Sequence, residues 1–105
     1  MTSAQKFHSE MKVPGGKLVV ADCETTGDTI SSISISGDFF LEPDEAYDII
    51  NDALLGAPAG DNTERLQARL DAALKDFEEQ SGREVRLHGF DTHIIAQVVR
   101  RALTQ

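Results

Sequence analysis

The sequence has one cysteine, one tyrosine, no tryptophan and few basic residues, and each scarcity closes off a class of protein. A single cysteine makes no internal disulfide, so nothing points to a secreted scaffold held by cross-links. Ten Lys and Arg stand against eighteen Asp and Glu, a formal charge of −8, which argues against general binding to nucleic-acid phosphates. No apolar run approaches the roughly 20 residues of a membrane-spanning helix, and the polar start Met1–Glu10 is unlike a signal peptide. These exclusions leave a cytoplasmic location as the expectation. What is present is an ordinary folding composition: 40% apolar residues in 105 is enough for one small core and too little for two domains.

The charge is unevenly spread. Residues 43–80 hold three bases and ten acids, whereas residues 81–105 hold four bases and two acids. An acidic block is usually the wet side of helices, but it can also steer a basic partner.

Hydrophobic periodicity divides the chain in two. Met1–Val13 carries no sustained pattern and reads as a flexible N-terminal arm (1–11) ahead of a single domain (12–105). Pro14-Gly15-Gly16 signals a turn. Lys17–Glu24 is rich in β-formers, with Leu18 and Val20 on one face and Val19, Ala21 and Cys23 on the other. Thr25-Thr26-Gly27-Asp28 breaks it as a hairpin would. Ile30, Ile33 and Ile35 mark a second strand, and Phe39-Phe40-Leu41 a short third strand or an apolar latch after the Gly37-Asp38 turn. At Pro43 the period changes to that of a helix. Ala46, Ile49, Ile50, Ala53 and Leu54 form one stripe, then Leu66, Leu70, Ala73, Leu74 and Phe77, then Ile94, Ile95, Val98, Val99 and Ala102. Asp61 with Glu64 opens the second helix at capping-box spacing, and Asp91 or Thr92 caps the third. Strands followed by helices give an α+β fold: a three-stranded antiparallel meander with about three helices packed on one face.

Few residues suggest chemistry. Cys23 lies between Asp22 and Glu24, which oppose thiolate formation, and reads as a small buried hydrophobe. His88, Asp91 and His93 match no zinc spacing, and Asp91 is already explained as a cap, so no metal site is expected. No catalytic group stands out. Lys12-Val13-Pro14-Gly15-Gly16-Lys17 is more distinctive: two glycines allow close backbone approach to a ligand, and the flanking lysines favour an anion. It is no Walker loop, because its spacing differs and a strand follows it, and on the residues alone a plain turn entering that strand is the favoured reading.

Lys12–Val19 resembles the start of the C-terminal, accessory domain of lipoate–protein ligases. Ile33-Ser34-Ile35-Ser36-Gly37-Asp38-Phe39-Phe40-Leu41-Glu42-Pro43 is similar to that family's second strand, its Gly-Asp-Phe-Phe turn and the entry to its first helix. The likeness rests on residues 12–56, and on architecture beyond them. It implies a fold similar to sulfur-transfer and iron–sulfur scaffold proteins. It also implies a role: in this family lipoate is activated with ATP to lipoyl-AMP and then transferred to a lysine of an acceptor domain. The large domain absent from this chain binds ATP, Mg and lipoate. The expectation is therefore a stand-alone accessory subunit, the Met1 start being read as that of a separate polypeptide, with no cofactor of its own and no catalysis alone. Its partners would be the catalytic subunit and, on transfer, lipoyl acceptor domains. The positions carried over are Lys12, Pro14, Gly15, Gly16, Lys17, Gly37, Asp38, Phe39 and Phe40. The two phenylalanines either anchor the interface or close the core beneath the helices. The rival is a sulfur acceptor or iron–sulfur scaffold working through Cys23.

Overall fold

The computed structural model describes residues 4–15 and 17–104. Strands β1 (Gln5–Val13), β2 (Lys17–Thr26) and β3 (Thr29–Gly37) form an antiparallel sheet in the order β1-β2-β3. A second, two-stranded ladder joins β4 (Phe40–Glu42) to β5 (Arg86–His88). Helices α1 (Glu45–Leu54), α2 (Thr63–Ser81) and α3 (Thr92–Leu103) complete the α+β fold. Helix α3 packs on β1 and β2, α1 on β3 and β4, and α2 bridges α1 and α3.

The alternation in β2 decides which face the helices cover. Val19, Ala21 and Cys23 are buried, while Asp22 on the other face is exposed. Register carries this across the sheet, since directly paired residues point the same way. One rung aligns Phe7, Cys23 and Ile33, the next Ser9, Ala21 and Ile35, and a third Met11, Val19 and Gly37. Beneath them lie Ile50 and Leu54 of α1, Leu66 and Leu70 of α2, and Ile95, Val98 and Val99 of α3, all fully buried. Truncating any of these leucines to alanine removes a large apolar contact and leaves a cavity, a loss of about 2–5 kcal/mol.

Two expectations are corrected. Residues 5–11, read as an arm, form most of strand β1. Their alternation was hidden because the inward position Ser9 is polar; its hydroxyl is buried with no hydrogen-bond partner among the described residues. The Phe39–Leu41 segment is a strand but belongs to the β4–β5 ladder, so the meander's third member is supplied by β1 at the opposite edge. The cause lies at Gly37. Its φ of +137° and the bond from the Asp38 N–H to the Leu18 carbonyl (2.8 Å) carry the chain across the end of β2 instead of back along β3.

The helix ends follow local rules with one difference. Asp91 accepts from the Ile94 N–H at 2.8 Å, and Gly82 ends α2 in the left-handed region. Asn62, not Asp61, caps α2 by accepting from the Arg65 N–H at 2.9 Å. Asp61 is buried instead, with Arg69 at 3.6 Å and Arg65 at 4.0 Å from its carboxylate. The Arg100 guanidinium donates to the Asp61 carbonyl at 3.1 Å and to that of Ala59 at 3.2 Å, tying the loop before α2 to α3.

Candidate functional site

The glycine-rich turn and the Gly37–Phe40 turn meet at one end of the sheet. Val13 pairs with Lys17 across the first turn, in which Gly15 has a φ of +104° and open space around it. Gly16 lies outside the described residues. At the second turn a Cβ on Gly37 would fall on the Leu18 carbonyl, so only glycine fits. That contact seats Asp38 directly beside β2, one residue beyond Lys17.

The segment His88-Gly89-Phe90 completes this end. Lys17 shares the inward parity of Val19, and its stem passes across Gly89, where an added Cβ would lie 3.2 Å from Lys17 Cγ. Phe39 stacks on Phe90 with ring centroids 4.2 Å apart, and Phe90 is buried. Phe40 points outward: it is 58% exposed and tilted against His88 at 5.5 Å. His88 also lies 3.5 Å from Glu42, an ion pair when the imidazole is protonated. The adjacent phenylalanines therefore divide the two expected roles. Phe39 packs against the core, whereas Phe40 is presented to solvent.

The electrostatics of this end differ from those of the chain as a whole. Neither Lys12 nor Lys17 has a carboxylate within ion-pair distance among the described residues, so two ammonium groups flank the turn in an otherwise acidic molecule. The register puts Lys12 on the uncovered face and Lys17 on the helix-facing side, and Asp38 and Glu42 lie at the same end, so the glycine turn, Lys17 and the exposed ring suit a mixed rather than a purely anionic surface. Among the described residues no nucleophile with an adjacent base accompanies them.

The other candidates do not converge. Cys23 is only 3% exposed; burial pushes its thiol up, and Asp22 pushes it further. A reactive thiol needs the opposite surroundings. Asp91 caps α3, His93 meets the Gln67 side chain at 3.1 Å, and His88 belongs to the sheet end. Among the described residues no cluster of three or more His, Cys, Asp or Glu is arranged to hold a metal ion.

Sequence reasoning missed the part played by residues 88–90. The available signal was a glycine between two rings, but their partners, Lys17, Phe39 and Phe40, lie about fifty or seventy residues away along the chain.

No protein-family model matches the chain, and no curated protein does. Among solved structures, a chain from an archaeal lipoylation system of Thermoplasma acidophilum is similar to it, with a TM-score of 0.60 and 24% identity. That structure is described as a bi-partite lipoate protein ligase and its E2 lipoyl domain. The match covers 95% of this chain and 98% of the other. The likeness is one of fold. It extends over both chains almost from end to end. Among the described residues no helix is long and apolar enough to cross a membrane.

Proposed function

We propose that this chain is the accessory subunit of a two-component lipoate–protein ligase. It docks on the catalytic subunit and supports ATP-dependent activation of lipoate to lipoyl-AMP, before transfer to an acceptor-domain lysine. The observation that carries this reading is the convergence of the two motifs resembling the family. Twenty residues apart in sequence, they share one end of the sheet, where the exposed Phe40 ring stands near the unpaired Lys17. The fold likeness to a chain from a bi-partite ligase system supports it independently.

The part played by this chain is closure. Phe40 anchors the interface, Lys17 meets acidic groups or phosphate oxygens on the partner, and the Gly37 turn fixes their spacing. Docked over an adenylating site, such a surface excludes water from a hydrolysable acyl-adenylate and orders the loops around it; its release admits the acceptor domain. ATP, magnesium and lipoate are held by the catalytic subunit on this reading.

The test is lipoylation of an acceptor domain by a ligase catalytic subunit that lacks its own small domain, with and without this chain. Modification dependent on both chains is the expected result. Equal modification without this chain, together with no complex by gel filtration, would remove the proposal. The sulfur-acceptor alternative gains no supporting observation, because Cys23 is buried and its thiol is disfavoured as an anion.

A further inference from the structure

The acidic block contains a second surface that the lipoylation reading does not use. Arg83, just past the Gly82 cap of α2, pairs with Glu45 at the start of α1, so the two helices run in opposite directions. Between them lies an open groove of about 500 Å³. Ile49 and Ala53 of α1 face Ala73 and Phe77 of α2 along its floor, each of them half-buried. Asp52 and Asp76 stand at its sides.

The charges determine what fits. Neither Asp52 nor Asp76 has a Lys, Arg or His within ion-pair distance among the described residues. The Gln80 amide donates to both Asp76 oxygens at 3.1 Å, which holds that carboxylate in place without neutralising it. Glu45 at the far end of α1 is different: Arg83 pairs with it and holds its carboxyl below the usual carboxylate range. The groove thus has an apolar floor and two uncompensated anions, Asp52 from α1 and Asp76 from α2, while the cation at its end, the Arg83 guanidinium 5.5 Å from the Phe77 ring centroid, is already engaged by Glu45. An anionic ligand is repelled by both. A second copy docked about a two-fold axis would bring the same aspartates together.

We propose that this groove receives a basic amphipathic helix from a partner protein, its apolar stripe seated on Ile49, Ala53, Ala73 and Phe77 and its Lys or Arg side chains paired with Asp52 and Asp76. Two antiparallel helices present a trough of the shape that a third helix fills, with anchors at i, i+3 or i+4, and i+7. Helix α1 is about 15 Å long, so contact extends over two to three turns of the incoming helix. The proposal stands apart from the lipoylation reading, since none of these six residues belongs to the motif-bearing sheet end.

The experiment uses the full chain, labelled for amide NMR, and an 18-residue peptide with leucines on one helical stripe and lysines elsewhere. Two controls accompany it: a peptide of identical composition with the stripe scrambled, and an amphipathic peptide with glutamate in place of lysine. Saturable shifts centred on Ile49, Ala53, Ala73 and Phe77 are expected with the first peptide only. The charge-reversed Asp52→Lys/Asp76→Lys chain, altered only at exposed positions, should bind it at least about tenfold more weakly. Equal binding of the scrambled peptide, shifts centred elsewhere, or no shifts at all would overturn the proposal.

Discussion

The motif-bearing end of the sheet and the α1–α2 groove are both open surfaces, yet they are made differently. At the sheet end, beside the open Gly15 turn, the second turn has little latitude: Gly37 is pressed on β2, Gly89 is crossed by Lys17, and Phe39 is stacked on Phe90. What is exposed there, the Phe40 ring, stands on a tightly packed support. In the groove the backbone is ordinary helix, and only the side-chain pattern is unusual: half-buried apolar groups between two unpaired acids. The first surface is specified by shape and the second by charge. Substitutions at the sheet end should therefore divide sharply into those that unfold and those that only unbind, whereas changes in the groove should alter binding alone.

The largest effect at these two surfaces is expected at Gly37. Gly37→Ala places a methyl group on the Leu18 carbonyl at a φ of +137° and should cost about 2–4 kcal/mol in urea denaturation. Gly15→Ala, with open space around it, should cost only about 1 kcal/mol, from its φ of +104°. Equal losses at the two glycines would mean that the close approach to Leu18 contributes nothing.

The phenylalanines come next. Phe39→Ala removes a stacked, half-buried ring and should destabilise by about 2 kcal/mol. Phe40→Ala should leave stability within about 0.5 kcal/mol and weaken the complex with a ligase catalytic subunit at least tenfold. A folded Phe40→Ala chain of unchanged affinity would remove Phe40 as an anchor.

The smaller effects lie on the sheet. Cys23 should react with a thiol reagent much more slowly in the native protein than in denaturant, because burial disfavours its thiolate. On the outer face, His8 bridges Asp22 at 2.5 Å and Glu10 at 2.8 Å. These bonds, the one to Asp22 first, raise the imidazole above its ordinary value of 6.5. Since the folded value is the higher, the stabilisation from this bridge is complete below about pH 6.5 and is lost as pH rises through the folded value. An NMR titration should place His8 above an ordinary histidine, and Asp22→Asn should lower it.

Much of this fold was legible because periodicity reports burial. The β2–β3 hairpin followed from Val19, Ala21, Ile33 and Ile35, and the three helices from stripes whose central members are fully buried. Strand β1 was not legible, since its inward rungs mix Phe7 and Met11 with the polar Ser9, and its outward residues are charged on an uncovered face. The β4–β5 ladder was illegible for another reason. Three-residue strands are too short to show a period, and their pairing is set by Gly37 redirecting the chain. The candidate site was half legible. Its two turns carry recognisable residues, but Gly89 and Phe90 join them only through contacts that sequence order conceals.

The proposed role of this chain is to assist adenylate formation through its sheet end. The most direct measurement is pyrophosphate release from ATP and lipoate by a ligase catalytic subunit, with no acceptor domain present, before and after adding this chain. Release is expected to depend on the chain and to fall with Phe40→Ala at limiting concentration. Release at the same rate with and without it would contradict the account.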